Sequence, residues 1–188
     1  LTSKGYYIGR YELGDVYATG SARTGTSNVS NPNNPIVCKS GVYPYTYINQ
    51  ADSSYLCQGM YGSTNFESDL INSYAWDTAI VFIQEFSGDT NYSRQVGINT
   101  EGAIQKCGES ILNYNLDAGD TAQDVRCNIY DMAGNIREWP TETSFRSGIP
   151  CVGRGGHYSD TDIYTSLRDN GHTYSSNQGS SARPIIYL

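Results

Sequence analysis

The chain has 188 residues, the length of one domain or at most two small ones, and enough to bury a continuous core without a metal or disulfide framework. Gly, Tyr, Ser and Asn supply 73 of those residues, while 12 basic against 19 acidic side chains leave a net charge of −7. That balance removes the attraction behind most nucleic-acid and anionic-membrane binding, and no apolar run is long enough for membrane insertion or a signal-peptide core. Starting on Leu1 rather than Met, the sequence is expected to be a processed or excised piece, so the lack of a targeting signal says little about location.

In chain order, Gly5 to Glu12 is aromatic-rich and alternating, and reads as a strand. From Tyr17 to about Pro44 the residues turn to Ser, Thr, Asn, Gly and Pro, which predicts a long loop. Asn49 to Tyr61 is a short helix. The spacing Thr64-Asn-Phe-Glu67 fits a capping box. Behind it Leu70, Ile71, Tyr74, Ala75, Ala79, Ile80, Phe82, Ile83 and Phe86 predict one apolar helix face, stopped by Gly88. Val96 to Ile98 reads as a short strand, Ala103 to Cys107 as a helical turn, and Val125 to Tyr130 as a buried strand. The last third is rich in Gly and Ser and closes on an apolar strand, 183–188. Two helices among short strands and long irregular loops make an α+β domain. Cys38, Cys57, Cys107, Cys127 and Cys151 form no CxxC pair and no Cys–His cluster. They read as buried or idle thiols of a reduced compartment, with one disulfide plus a leftover thiol as the alternative.

The most informative stretch is Asn128-Ile-Tyr-Asp-Met-Ala-Gly-Asn-Ile-Arg-Glu-Trp139, which predicts a compact corner with Gly134 at the tight turn and Trp139 buried. It resembles the YDMxGNVWEW segment of the formylglycine-generating-enzyme (sulfatase-modifying factor) family. Tyr7-Ile-Gly-Arg-Tyr-Glu12, Tyr74-Ala-Trp-Asp-Thr-Ala-Ile-Val-Phe82, Arg154-Gly-Gly156 and Ser181-Ala-Arg-Pro184 resemble further landmarks of that family, in the same order. The resemblance spans nearly the whole chain. It implies a single C-type-lectin-like domain over 1–188, of the formylglycine-generating-enzyme type, with two helices, short antiparallel strands and long irregular loops.

The family's chemistry does not accompany its landmarks. Its oxidases place two copper-binding cysteines after the RGG strand, and His157 to Arg168 contains none; a Cu(I) site needs such soft thiolates. The iron-dependent relatives need a His-x-x-x-His-x-Glu set, whereas the chain has only His157 and His172. His157, Asp160, Asp162, Asp169 and His172 could be drawn as a metal or hydrolytic cluster, but they read better as loop residues facing solvent. The Glu-Pro-Asn and Gln-Pro-Asp motifs of sugar-binding calcium lectins are absent. The resemblance also implies where a structural calcium ion would lie, at Asp131, Gly134, Ile136 and Glu138. A carboxylate at each end with carbonyls between suits a hard cation, and a capped turn without an ion stands beside that reading. No other cofactor is expected.

Val152 to Leu188 has no Lys, Glu, Met or Trp and one Gln, where about four of these five types would fall in proportion to the whole chain. This resembles the variable proteins of diversity-generating retroelements. There, mutation of template adenines turns AAC codons into Tyr, His, Asp, Ser, Gly and others, and never into those five types. Such proteins use a C-type-lectin-like fold with the variable region near the C-terminus. Tyr, Ser, Gly and Asn supply 15 of the 27 residues from Gly155 to Ser181, the side-chain mixture of antibody paratopes. The expectation is a non-catalytic domain with a variable binding region over 136–181. Its contacts are Arg137, His157, Tyr158, Ser159, Asp160, Asp162, Tyr164, Asp169, Asn170, His172, Tyr174 and Asn177. The expected partner is a protein or other cell-surface ligand, and the expected carrier a phage tail or a bacterial surface. The competing expectations are a metal-dependent oxidase of the family with an atypical site, and a purely structural tail or surface module.

Overall fold

The computed structural model describes residues 5–17, 36–61, 65–95, 97–99, 103–114, 121–160, 163–174 and 179–188. The chain opens with β1 (Tyr6–Ile8), β2 (Gly14–Asp15), β3 (Ile36–Val37), β4 (Tyr43–Pro44), α1 (Gln50–Met60), β5 (Glu67–Leu70) and α2 (Ser73–Phe86). A 3-10 turn over Tyr92–Arg94 leads to β6 (Gly97–Asn99), β7 (Ile111–Tyr114), β8 (Thr121–Gln123), β9 (Val125–Arg126) and β10 (Ile129–Tyr130). The last elements are β11 (Arg137–Trp139), β12 (Cys151–Arg154), β13 (Arg168–Gly171), β14 (Ser180–Ala182) and β15 (Pro184–Tyr187). This is the expected α+β arrangement of two α-helices among small sheets.

Two sheets position everything that follows. One, in the order β1-β15-β5, is antiparallel and brings the two described ends of the chain together, with Ile8 opposite Ile185 and Leu70 opposite Pro184. The other has the order β13-β12-β11-β14. Its β11–β14 pair is parallel, which departs from the all-antiparallel expectation. The reason is topological: β14 passes within one residue, Arg183, into β15 of the other sheet. That single corner residue joins the two sheets.

Both helices start on an asparagine whose side chain accepts a backbone N–H, Asn49 from Asp52 and Asn72 from Ala75. Each such cap stabilises its helix by about 1 kcal/mol. The second helix begins six residues beyond Glu67, contrary to the capping-box expectation. Glu67 to Leu70 is strand instead, because all four residues lie in antiparallel register with β15, from Glu67 opposite Tyr187 to Leu70 opposite Pro184. Ser68 and Leu70 are buried in that strand, the alternation of a sheet rather than of a helix. Gly88, with φ 79°, does follow the helix end.

Of the predicted apolar face of α2, Ala75, Ala79, Ile80 and Ile83 are buried, together with Trp76. They pack against Ile71, Tyr92, Ile129, Met132 and Ile185. Tyr74 and Phe82 point outward, because the helix wheel turns them away from Trp76, and Phe86 stands exposed as the last residue of the helix. A second core cluster, including Leu13, Ile48, Cys57 and Ala182, lies under α1. Trp139 is buried as expected, and its indole N–H donates to Ile48 O at 2.9 Å, tying β11 to the start of α1.

Four further expectations are corrected. The predicted loop from Tyr17 to Pro44 contains β3 and β4, which flank β2 in a small sheet. Val125 to Tyr130 is not one strand but a hairpin. Cys127 (φ 53°) and Asn128 (φ 63°) form its two-residue left-handed turn. Ala103 to Cys107 is irregular rather than helical, since Cys107 exchanges backbone hydrogen bonds with Gly41 and Val42. The left-handed backbone anticipated at Gly134 belongs to Asp131 (φ 61°) and Asn135 (φ 62°). All five cysteines are free thiols, with Cys57, Cys107 and Cys151 buried. Among the described residues, no helix is long and apolar enough to cross a membrane.

Candidate functional site

The strand order β13-β12-β11-β14 explains how residues distant in sequence meet. On β12, Gly153 lies beside Arg137 of β11 and opposite Asp169 of β13. A Cβ at position 153 would stand 2.6 Å from Arg137 Cδ, so only glycine lets the arginine stem cross the strand. Arg137 Nη1 then donates to Asp169, and Nη2 reaches Asp160 Oδ2 at 3.4 Å. The sequence suggested Arg137 as a contact residue; the structure holds its guanidinium between two aspartates of the same surface.

Asp160 also accepts the His157 N–H at 2.9 Å, which closes the loop from 157 to 160. His157 Nδ1 lies 2.9 Å from Ser159 Oγ, and its ring lies 3.9 Å from that of Tyr158. Burial lowers the His157 pKa; Asp160 pulls it up and Arg137 pushes it further down. Tyr158 packs inward on Ile104 and Ile136, and its N–H donates to Asn135 O at 3.0 Å. Ile136 itself is buried.

A second group flanks the far end of β13. His172 Nδ1 lies 2.6 Å from Gly148 O, and its ring stacks on Tyr174 with centroids 4.9 Å apart. Tyr174 is 74% exposed and Tyr164 49%. Tyr164 sits in a turn fixed from below, where Thr165 N–H donates to Gln95 O and the Trp76 indole N–H donates to Thr165 O. Asn170 is half-buried opposite Val152. Asp162 and Asn177 lie outside the described residues.

The strongest polar construction near this surface was not anticipated. Asp77 of α2, Glu142, Arg154 of β12 and Arg168 of β13 form a closed ring of four ion pairs. Arg154 is fully buried, 5.6 Å from the Trp76 ring, and also donates to Leu167 O. The RGG arginine is therefore a structural clamp between α2 and the sheet. No local signal could have revealed it, because its partners lie 77 and 12 residues away.

Of the implied calcium ligands, Glu138 already has a cationic partner within the protein. Glu138 places both carboxylate oxygens on the Arg183 guanidinium, at 2.6 to 3.1 Å, so a protein cation already occupies that role. Asp131 is buried against Glu12, whose other oxygen accepts from the Asn135 side chain at 2.6 Å. Among the described residues, no group of three or more His, Cys, Asp or Glu side chains could hold a metal ion.

The Glu12–Asp131 contact has a consequence for stability. Burial raises the Asp131 pKa well above the usual carboxylate range, and the charges of Glu12 and Asp124 add to this. Burial raises Glu12 as well, with Arg183 opposing. Both folded values exceed the unfolded values of 3.8 and 4.5, so the folded chain holds the extra protons. That advantage is complete below the unfolded values and is lost as pH rises through the raised ones. Melting temperature should therefore rise as pH falls through the raised folded values toward the unfolded ones, and Asp131→Asn, which tolerates φ 61°, should flatten the slope. Equal slopes in thermal melts of the two proteins would refute this origin.

No family model and no curated protein sequence matches the chain. Among solved structures it is similar to the crystal structure of CarF, with 16% identity, a TM-score of 0.56, and coverage of 78% of this chain and 68% of that one. It is also similar to PvdO from Pseudomonas aeruginosa, with 12% identity, a TM-score of 0.56, and coverage of 97% of this chain and 80% of that one. At these identities the likeness is one of fold, and the chain has a fold related to theirs.

Proposed function

We propose that the chain is a non-catalytic ligand-binding domain with a C-type-lectin-like fold of the formylglycine-generating-enzyme type. Its C-terminal surface, diversified by a retroelement, recognises a protein or other cell-surface target. The observation that carries this reading is the contrast within one segment. Cys151 to Gly156 is buried and clamped, while Ser159, Tyr164, His172 and Tyr174 stand exposed just beyond it. Tyrosine offers wide amphipathic contact at low entropic cost, and a firm underlying sheet limits the ordering penalty on binding. The carrier that suits such a domain is a phage tail or a bacterial surface.

Exchanging Ser159, Tyr164, His172 and Tyr174 together should change which target is bound and leave melting nearly unchanged. Exposed substitutions typically shift stability by no more than about 0.5 kcal/mol each. Display selection against a purified protein, followed by melting of the recovered variants, measures both quantities. Broad unfolding across the library would overturn the reading, as would peptide oxidation by the anaerobically copper-loaded protein. The retroelement component has its own test in the gene's surroundings. It requires a reverse transcriptase gene and a near-copy of the 3′ end differing only at adenines, and it fails if neither is there.

A further inference from the structure

All four phenylalanines of the chain, Phe66, Phe82, Phe86 and Phe145, are exposed, although phenylalanine is among the residues most often buried. Two of them lie on α2, with ring centroids 4.8 Å apart. They belong to a continuous outer face of that helix, made by Tyr74, Thr78, Val81, Phe82, Glu85 and Phe86. Thr78 donates its hydroxyl to Tyr74 O within the helix, so it adds a methyl group rather than a polar group to this face. Asp77, at the margin, is already committed to Arg154 and Arg168.

We infer that this outer face of α2 is a homodimer interface, in which the helix packs antiparallel against the same helix of a second copy of the chain. Area and charge both favour a second copy as the occupant. Tyr74 is 86% exposed, Phe86 74% and Phe82 43%. With about 200 Å² per aromatic side chain, the three offer about 400 Å² per protomer. Full coverage in a two-fold pair would remove about 800 Å² of aromatic surface, and Val81 and Thr78 raise that ceiling to the order of 1,000 Å² that a specific interface requires.

The charge argument turns on Glu85. It lies in the last turn of α2, where the helix dipole disfavours an acid and where there is no basic residue. Antiparallel pairing about the helix centre sets Phe86 against Tyr74 of the second copy and Phe82 against its Thr78. Glu85 then lies beside the other helix's N-terminus, where the dipole favours it. An arrangement unfavourable within one chain becomes favourable in the pair. This inference does not depend on what the C-terminal surface binds.

Sedimentation of the whole chain over a wide concentration series should show a species of twice 20.7 kDa that dissociates on dilution. Phe82→Ser with Phe86→Ser should give the single-chain mass with far-ultraviolet circular dichroism retained. Phe145→Ser, which removes an equally exposed ring elsewhere, should leave the dimer intact. Glu85→Lys should weaken dimerisation about tenfold, since two dipole contacts are lost per pair. A wild-type chain that stays single at every concentration overturns the inference. So does a dimer that survives the double substitution or is dissolved by Phe145→Ser. If the double variant loses its fold, an unchanged dissociation constant in Glu85→Lys overturns it equally.

Discussion

Arg183→Met is expected to destabilise the protein by about 3–5 kcal/mol, the usual cost of leaving a buried charge without its partner. Arg183 is fully buried at the corner between β14 and β15. Besides gripping Glu138, it donates to Gly9 O at 2.9 Å and Tyr130 O at 2.7 Å. Those partners belong to the first strand region, the β9–β10 hairpin and β11, so one side chain gathers three separate segments. Methionine fills much of the volume but leaves the Glu138 carboxylate and two carbonyls without donors. Adding Glu138→Met should recover most of the charge cost, because a buried pair replaced by apolar groups is often tolerated. A residual loss of about 1–3 kcal/mol should persist from the orphaned carbonyls. Urea unfolding midpoints of the two variants give both quantities, and a single substitution costing under about 1 kcal/mol would remove Arg183 from its central place.

Trp76→Ala should cost a similar amount, about 3–5 kcal/mol, and should be felt in the loop after Gly156 as well as in the core. The indole is fully buried. It supports the Arg154 guanidinium, donates to Thr165 O, and lies close under Gly155. Gly155 has φ +74°, and a Cβ there would come within 2.7 Å of Met132 O, so the backbone at this point rests directly on the core. Removing the indole takes away the floor beneath the exposed loops on both sides of β12 and β13. Hydrogen exchange should therefore quicken over 155–167 beyond the rise expected from global destabilisation. Trp76→Phe should restore most of the packing and none of the Thr165 hydrogen bond. Uniform exchange changes across the chain would show that the support is general rather than local.

The ring formed by Asp77, Glu142, Arg154 and Arg168 puts the same principle to a different use. A fully buried arginine is held by two acids, while a more exposed arginine closes the ring on the outside. The exposed edge adds little by itself. Its value lies in keeping both carboxylates oriented toward Arg154, so that β12 stays fixed against α2.

What the sequence determined alone was whatever depends on neighbours along the chain. The start of α1 at Asn49, the stop at Gly88, the buried Trp139 corner and the closing strand all follow from caps, turns and short-range patterning. The concentration of Tyr, Ser, Gly and Asn after Arg154 was legible in the same way. Tertiary structure decided the rest. Thr64-Asn-Phe-Glu67 satisfies a helix-start rule, yet β15, more than a hundred residues later, offered Glu67 to Leu70 a ladder of backbone hydrogen bonds, and the strand prevailed. Nine apolar positions in and around α2 looked like one face, but only one side of a helix can meet the core, which left Tyr74 and Phe82 outside, with Phe86 exposed at the helix end. Likewise no pattern announces that Arg183 will meet Glu138, or that Arg137 will lie between Asp160 and Asp169. Charges choose partners by distance in space, and that distance exists only once the sheets have joined.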